Sequence, residues 1–385
     1  MKGSLRIARF FGIPVELHWT FIFVLIGAVY WGLNRGGGWV SALWFLALVA
    51  SLFLCVLLHE FGHALTARRF GVTTKDIILS PIGGIARLSK LPEHPFQELL
   101  VAAAGPLVNI VIAILLSPYY FLSSSQKQMQ LLGSIMPSSN VFVHSLSLMD
   151  RLVFFVLFLN IILAVFNLLP AFPMDGGRIL RALLSTQLSR RQATRVSMYI
   201  GQAMALALIF MGLTQMEIGS VKMSFMIAFI GLFVFISASN ENRYVRFSHL
   251  LEQASVDKLL RRELSPMYSD TPMEVVVETY AEGKEKNFVV FNKWHNIIGL
   301  LTEEKIRAAL KKKDFGAAVR EYMLPYPAPL VKEDSAKSAM DRMQESELSI
   351  LPVFEKGKFI GLVDYPALNQ YLKEADQSRN WLWRS

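Results

Sequence analysis

A single cysteine, Cys55, occurs among 385 residues, so no intrachain disulfide can form. Charge is scarce as well. Asp, Glu, Lys and Arg make up 18% of the chain and hydrophobic residues 53%, against roughly 25% charged and 45–50% apolar in soluble domains. A purely soluble domain is excluded, and an integral membrane protein with some soluble mass attached is expected. No cleavable signal peptide is expected either. The start, Met1-Lys2-Gly3-Ser4-Leu5-Arg6, leads into a segment that is too long and lacks a small-residue cleavage site. Motifs that read nucleic acid are also missing. The net charge of +9 would suit a polyanion, but the basic residues cluster beside apolar runs, where they set membrane orientation. No nucleic-acid partner is expected.

What the chain has in quantity is long uncharged stretches. Six are long enough, or nearly so, to cross about 30 Å of hydrocarbon: 17–34, 36–58, 99–122, 152–169, 196–216 and 223–239. Pro106 and Pro170 are helix breakers within or after these runs. Arg6 and Arg9, then Arg68, Arg69, Lys75 and Arg87, then Arg178, Arg181, Arg190, Arg191 and Arg195 fall in alternate loops. The opposite loops hold little beyond Arg35, Lys127 and Lys222. The positive-inside rule therefore places both termini in the cytoplasm. Between the second and third runs, Asp76-Ile77-Ile78-Leu79-Ser80-Pro81-Ile82-Gly83-Gly84-Ile85-Ala86-Arg87 reads as strands around a Gly-Gly turn. Such a hairpin would either cap the bundle or enter the membrane, and an edge strand there would accept an unwound peptide by strand addition.

The second run leads into His59-Glu60-Phe61-Gly62-His63. Residues four apart share a helix face, so the two imidazoles can grip one Zn²⁺ while Glu60 takes a proton from water beside it. Cys55 lies on the same face, either as an extra ligand or, more simply, as a buried thiol. Two ligands do not complete a catalytic zinc site. The best third is Asp175, in Asn167-Leu168-Leu169-Pro170-Ala171-Phe172-Pro173-Met174-Asp175-Gly176-Gly177-Arg178, at the same membrane side as His63. The prolines halt the helix there and the glycines allow close backbone approach. Capping of the following helix is the bland alternative for Asp175; beside the His pair, ligation is preferred. Among the other histidines, His18 and His144 suit interfacial or surface roles, and His94, His249 and His295 lie in polar contexts.

With those two motifs in place, residues 1–240 resemble the site-2 proteases, intramembrane zinc metalloproteases with a histidine motif in one membrane helix and an Asn-Pro-Asp-Gly-type motif in a later one. The resemblance implies one Zn²⁺ per chain held by His59, His63 and Asp175, with Glu60 as general base. Asn109, in Ala104-Gly105-Pro106-Leu107-Val108-Asn109, matches a further family position. Its NH₂ would steady the developing oxyanion or hold the substrate backbone, unless it serves helix–helix hydrogen bonding. Asn167 reads as support for a ligand. The implied substrate is a single-span membrane protein that unwinds locally in the lipid bilayer. A cation channel or transporter and an inactive relative that binds membrane proteins are the other readings weighed.

From Leu251 the chain becomes charged and repetitive. Glu263-Leu264-Ser265-Pro266-Met267…Phe288-Val289-Val290-Phe291…Ile298-Gly299-Leu300-Leu301-Thr302 recurs as Tyr322-Met323-Leu324-Pro325…Leu351-Pro352-Val353-Phe354…Ile360-Gly361-Leu362-Val363-Asp364. Two α/β units of this size are expected to pack face to face. They resemble a pair of CBS domains, at 251–312 and 313–385, joined to the membrane domain by a linker over 241–250. Members that bind adenine nucleotides end the second strand with Thr or Ser and place an Asp three residues later. Thr302-Glu303-Glu304-Lys305 and Asp364-Tyr365-Pro366-Ala367 both lack that Asp. Nucleotide sensing at this tail is therefore set against a structural role or homodimerisation. The expected fold is an all-α membrane domain of six helices with a small β element, plus a soluble α/β CBS pair.

Overall fold

The computed structural model describes residues 3–34, 38–81, 83–89, 94–124, 126–128, 147–214, 217–218, 221–222, 225–283 and 285–382. His144, Ile82, Arg35 and the adjoining ends of the fifth and sixth apolar runs lie outside them. Contacts divide the chain into two units, Met1–Asn242 and Arg243–Ser385.

The first unit opens on strands β1 (Ser4–Phe10) and β2 (Ile13–His18), followed by α1 (Phe21–Gly32), α2 (Gly38–Arg69), β3 (Thr74–Ser80) and β4 (Gly83–Leu88). Helices α3 (Pro95–Phe121), α4 (Leu148–Leu168), α5 (Asp175–Leu184), α6 (Arg190–Leu213) and α7 (Phe225–Gln253) complete the unit, with a two-residue ladder of β5 (Glu217–Ile218) and β6 (Val221–Lys222) before α7. Five of these helices, α2, α3, α4, α6 and α7, are long and apolar enough to cross a membrane. Only 17–28% of the residues in their most apolar windows are buried inside the protein, so most of that hydrocarbon faces outward, as lipid solvation allows. The first apolar run behaves differently. Its start is β2, and α1 has 12 residues, about 18 Å of rise.

The expected hairpin is part of a larger sheet of order β1-β2-β3-β4. β3 and β4 pair antiparallel, β2 and β3 parallel, and β4 forms one edge. Ile13, Val15, Ile77 and Leu79 are buried with Phe21, Phe53, Phe61 and Ala64, so this sheet rests on α1 and α2. Pro106 and Pro118 lie inside α3 and do not end it. Leu169, with ψ 130°, terminates α4 immediately before Pro170. α6 starts with a capping box in which Ser189 and Gln192 satisfy each other's backbone N–H.

In the second unit the repeat is visible element by element. β7 (Met267–Tyr268), α8 (Met273–Ala281), β8 (Phe288–Phe291), β9 (Ile297–Leu301) and α9 (Glu303–Lys312) form one copy. β10 (Leu330–Val331), α10 (Ala336–Ser346), β11 (Ile350–Glu355), β12 (Lys358–Asp364) and α11 (Tyr365–Leu382) form the other. In each sheet the first pair is parallel and the second antiparallel, with a register irregularity at Val290/Phe291 and at Val353/Phe354. Leu300 of one copy and Leu351 of the other are fully buried in one shared core. Residues 241–250, set apart as a linker in the sequence, are helical and belong to α7.

Candidate active site

The site is assembled from α2, β4, α3, α4 and α5. His59 and His63, one turn apart on α2, are both buried. Pro170 stops α4, the chain turns through Pro173, and α5 begins at Asp175. A carboxylate at the first position of a helix is favoured by the partial positive charge of the free N–H groups there. Gly176 makes the turn possible, because a Cβ at that residue would overlap the Leu168 and Leu169 carbonyls.

These elements bring three donor atoms together. His59 Nε2 lies 3.2 Å from Asp175 Oδ2, His63 Nε2 lies 3.1 Å from the same oxygen, and the two Nε2 atoms are 3.0 Å apart. Tetrahedral zinc with bonds of about 2.0–2.2 Å sets neighbouring ligand atoms about 3.3–3.5 Å apart. The triangle is close to that size and its donor set is the His/His/carboxylate type zinc takes. Among the described residues this is the one group of three His, Cys, Asp or Glu side chains so arranged. Cys55 is not in it; its sulfur is buried and receives Asn160 Nδ2–H at 3.2 Å.

The other face of each imidazole is fixed. His63 Nδ1 meets the Val101 carbonyl at 2.7 Å, and His59 Nδ1 meets Asn109 Oδ1 at 2.6 Å. With Nδ1 protonated and donating, each Nε2 keeps its lone pair on the side it shares with the Asp175 carboxylate, as metal-binding imidazoles need. Asn109 in turn donates Nδ2–H to Asn160 Oδ1 at 2.8 Å, and Asn160 donates to the Val156 carbonyl at 2.8 Å. Asn109 and Asn160 have no exposed surface. The oxyanion role expected for Asn109 does not match this placement: its NH₂ is engaged by Asn160, and its oxygen orients His59. Asn167, expected to support a ligand, instead lines the cavity at the site and donates one Nδ2–H to the Leu163 carbonyl at 3.0 Å. Asn160 went unnoticed in the sequence because nothing in an apolar run says which way a lone Asn points.

That cavity, about 600 Å³, is bounded by His59, Glu60, His63, Asp175 and Arg178 together with β4. Arg178, three residues past Asp175, was read from sequence only as a topology determinant. Glu60 Oε2 accepts the Ala86 N–H of edge strand β4 at 3.1 Å. Gly84 keeps that strand close, since a Cβ there would lie 2.8 Å from Glu60 Cγ. Another cavity of about 520 Å³ opens between α3 and α4, but its lining is almost wholly hydrocarbon and it brings no reactive group. Of the remaining described histidines, His18 meets Thr20 Oγ1 at 2.7 Å and His295 meets the Tyr268 hydroxyl at 3.1 Å.

In the second unit, Asp364 at the end of β12 accepts Arg261 Nη1 at 3.0 Å, and Arg261 Nη2 reaches Glu285 at 3.0 Å. An internal guanidinium thus engages the carboxylate that ends β12.

Comparison with known proteins follows the same division of the chain. The profile of peptidase family M50 matches residues 47–208, and that of the CBS domain matches residues 319–373. A zinc metalloprotease of Methanocaldococcus jannaschii is 30% identical over 370 residues, covering 94% of each chain. A putative zinc metalloprotease of Synechocystis sp. is 26% identical over 397 residues, covering 97% of this chain and 96% of its own. Among solved structures, a site-2 protease from Methanocaldococcus jannaschii is 34% identical, with a TM-score of 0.39, over 62% of this chain and 95% of that one.

Proposed function

Given that the chain belongs to peptidase family M50 and is a multi-pass, zinc-dependent intramembrane metalloprotease, we propose that it cleaves the transmembrane segments of single-span membrane proteins, with His59, His63 and Asp175 as zinc ligands and Glu60 as general base. The single observation carrying the residue assignment is the buried triangle of donor atoms, 3.0–3.2 Å on a side, with Glu60 on the wall of the same cavity. Zinc, which His59, His63 and Asp175 would hold, would supply Lewis-acid polarisation of a carbonyl and a lowered pKa for attacking water. Glu60 takes the proton from the attacking water and returns it to the leaving amine. Arg178 and the second Nδ2–H of Asn167, both on the cavity wall, offer donors to charge that would develop on the carbonyl oxygen. Asn109 and Asn160 hold His59 in one tautomer and orientation.

A helical substrate hides its carbonyls in i→i−4 bonds, so an extended stretch must form before attack. β4 is an edge strand beside Glu60, which accepts its Ala86 N–H, so a stretch adding there as a further strand would meet Glu60 directly. The loop charges support cytoplasmic termini. The CBS pair is read as regulating the protease, by homodimerisation or by an adenine nucleotide. The Arg261–Asp364 pair weighs against the nucleotide.

Wild type and Glu60→Gln, both zinc-loaded in detergent, are incubated with a model single-span substrate. The substitution is expected to lower cleavage about 10²–10⁴-fold with zinc retained. Equal cleavage by both would trace the activity to a contaminant. Cleavage by neither, with zinc bound, would favour the cation-transport reading.

A further inference from the structure

A second buried ionic cluster lies in the first unit, apart from the donor triangle. Arg181, in the last turn of α5, has no exposed surface. Its Nε and Nη2 donate to Glu98 Oε1 at 2.8 and 2.5 Å, and its Nη1 donates to Glu241 Oε1. Arg190 approaches Glu98 Oε2 at 3.6 Å. Two cations thus meet two carboxylates contributed by α5, α6, α3 and α7. The Phe172 ring, in the turn leading to Asp175, lies 5.1 Å from the Arg181 guanidinium carbon. Charged groups in a lipid-solvated bundle are costly unless each partner is in place, so their retention calls for a role.

Position supplies one. Arg181 is six residues beyond Asp175 on the same ten-residue helix, about 9 Å along its axis. Glu98 is on α3, the helix whose Val101 carbonyl holds His63 and whose Asn109 holds His59. The Arg181–Glu98 pair therefore ties the helix carrying the carboxylate to the helix backing both imidazoles. Glu241 is the weaker tie. Its side chain is 25% exposed, against 5% for Glu98, and it lies on α7, whose residues from Arg243 onward belong to the second unit.

We propose that Arg181 is a positioning residue for Asp175, and that Glu241 makes its hold depend on where α7 sits. A shift of α7 that withdraws Glu241 leaves the guanidinium one carboxylate short, and α5 then loses its fixed register against the imidazoles. The metal site is thereby sensitive to the helix that continues into the CBS unit. This inference rests on Asp175 being a zinc ligand.

The test uses the full chain in detergent, loaded with zinc and then challenged with excess chelator; the rate of zinc loss is read directly. Asp175→Asn serves as the control for ligation, and gel filtration confirms that each variant is folded. Second-sphere changes cost about 10–100-fold in metal affinity. Glu241→Gln is accordingly expected to lose zinc about tenfold faster than wild type, with kcat lowered and KM for a single-span substrate unchanged. Arg181→Lys is expected to be worse, and Glu241→Asp, which keeps the charge, to lie between Glu241→Gln and wild type. If folded Glu241→Gln loses zinc within about twofold of the wild-type rate while Asp175→Asn loses it quickly, the positioning role is overturned and the ligand assignment stands. If Asp175→Asn holds zinc as wild type does, the ligand assignment fails and the inference fails with it. Should Arg181→Lys not fold, the half-buried Glu241 decides alone.

Discussion

The two units differ in how many polar side chains they bury. Among the described residues, the interior of the first holds, beside apolar clusters such as Ile13, Phe53, Phe61 and Ile77, the polar side chains of His59, His63, Asp76, Glu98, Asn109, Asn160, Asp175, Arg181, Thr194 and Ser197, while large apolar residues such as Leu107, Ile114, Leu115 and Phe229 point outward. The second buries an aliphatic core around Leu251, Leu300, Leu330, Leu351 and Val353, and of polar residues only Glu285, Thr302 and Asp364. Water drives the second arrangement, since apolar area removed from it stabilises by roughly 25 cal/mol per Å². In lipid that gradient is absent, and the polar groups are the ones that gain from being enclosed. One consequence is that interior contacts in the first unit form a chain of mutual orientation, and those in the second mostly fill space.

Glycines give the largest expected contrast. A Cβ on Gly105 would overlap His63 Nε2 and Cε1 and lie 2.7 Å from His59 Nε2, whereas one on Gly316 would meet nothing within 4 Å. Gly105→Ala must push α3 away from both imidazoles or displace their nitrogens. Its zinc affinity, measured by chelator competition, is expected to fall by about 100-fold or more, the upper end of what disturbed ligand orientation costs. Gly316→Ala should leave zinc affinity and cleavage at wild-type values. Comparable zinc binding in the two variants would mean that the imidazole positions tolerate a shift the geometry forbids.

The asparagines come next and separate holding a ligand from meeting the substrate. Asn160→Ala removes the acceptor for Asn109 Nδ2–H and frees that amide to turn away from His59. Zinc affinity is expected to drop about 10–100-fold. Asn167→Ala, on the cavity wall, is expected to leave zinc affinity unchanged and to lower kcat, by up to the 10²–10³ range known for a lost oxyanion donor. The opposite pattern would return the oxyanion role to Asn109 and the supporting role to Asn167.

The two asparagines mark the limit of what was legible in the sequence. Helical periodicity predicts that a His pair at i and i+4 shares a face, Asp175 joins it on membrane side and resemblance, and the triangle forms from those residues. The CBS repeat was readable because its strands, turns and Gly299/Gly361 recur in order. Direction was not readable. An Asn inside an apolar run can face a cavity or a neighbouring helix, and only packing decides. Likewise Arg181 reads as one more positive-inside residue until Glu98, far away in sequence, is seen to accept from it. The start of the chain misled for a different reason. Residues 17–34 carry no acidic or basic charge, and the end of a strand followed by a short helix has the same composition as one span, so β2 and the sheet it builds with β3 were invisible.

Ion pairs give the sharpest test of the contrast, because the smallest effect of all is expected for the exposed one. Glu303 and Arg307 stand at i and i+4 on α9, 2.7 Å apart, with side chains 29% and 67% exposed. Their counterparts in the first unit, Arg181 and Glu98, are 1% and 5% exposed. Removing one member of a buried pair strands the other's charge and costs about 3–5 kcal/mol, while an exposed pair loses little because water takes over both partners. Hydrogen exchange in the full chain reads both helices at once, through the amides of α5 and α9. Arg181→Met should deprotect α5 by more than about 100-fold, as a loss of that size requires. Arg307→Ala should change α9 protection by less than about threefold. Equal deprotection would show that exposure does not set the worth of an ion pair in this protein, and that the first unit does not treat its enclosed charges differently from the second.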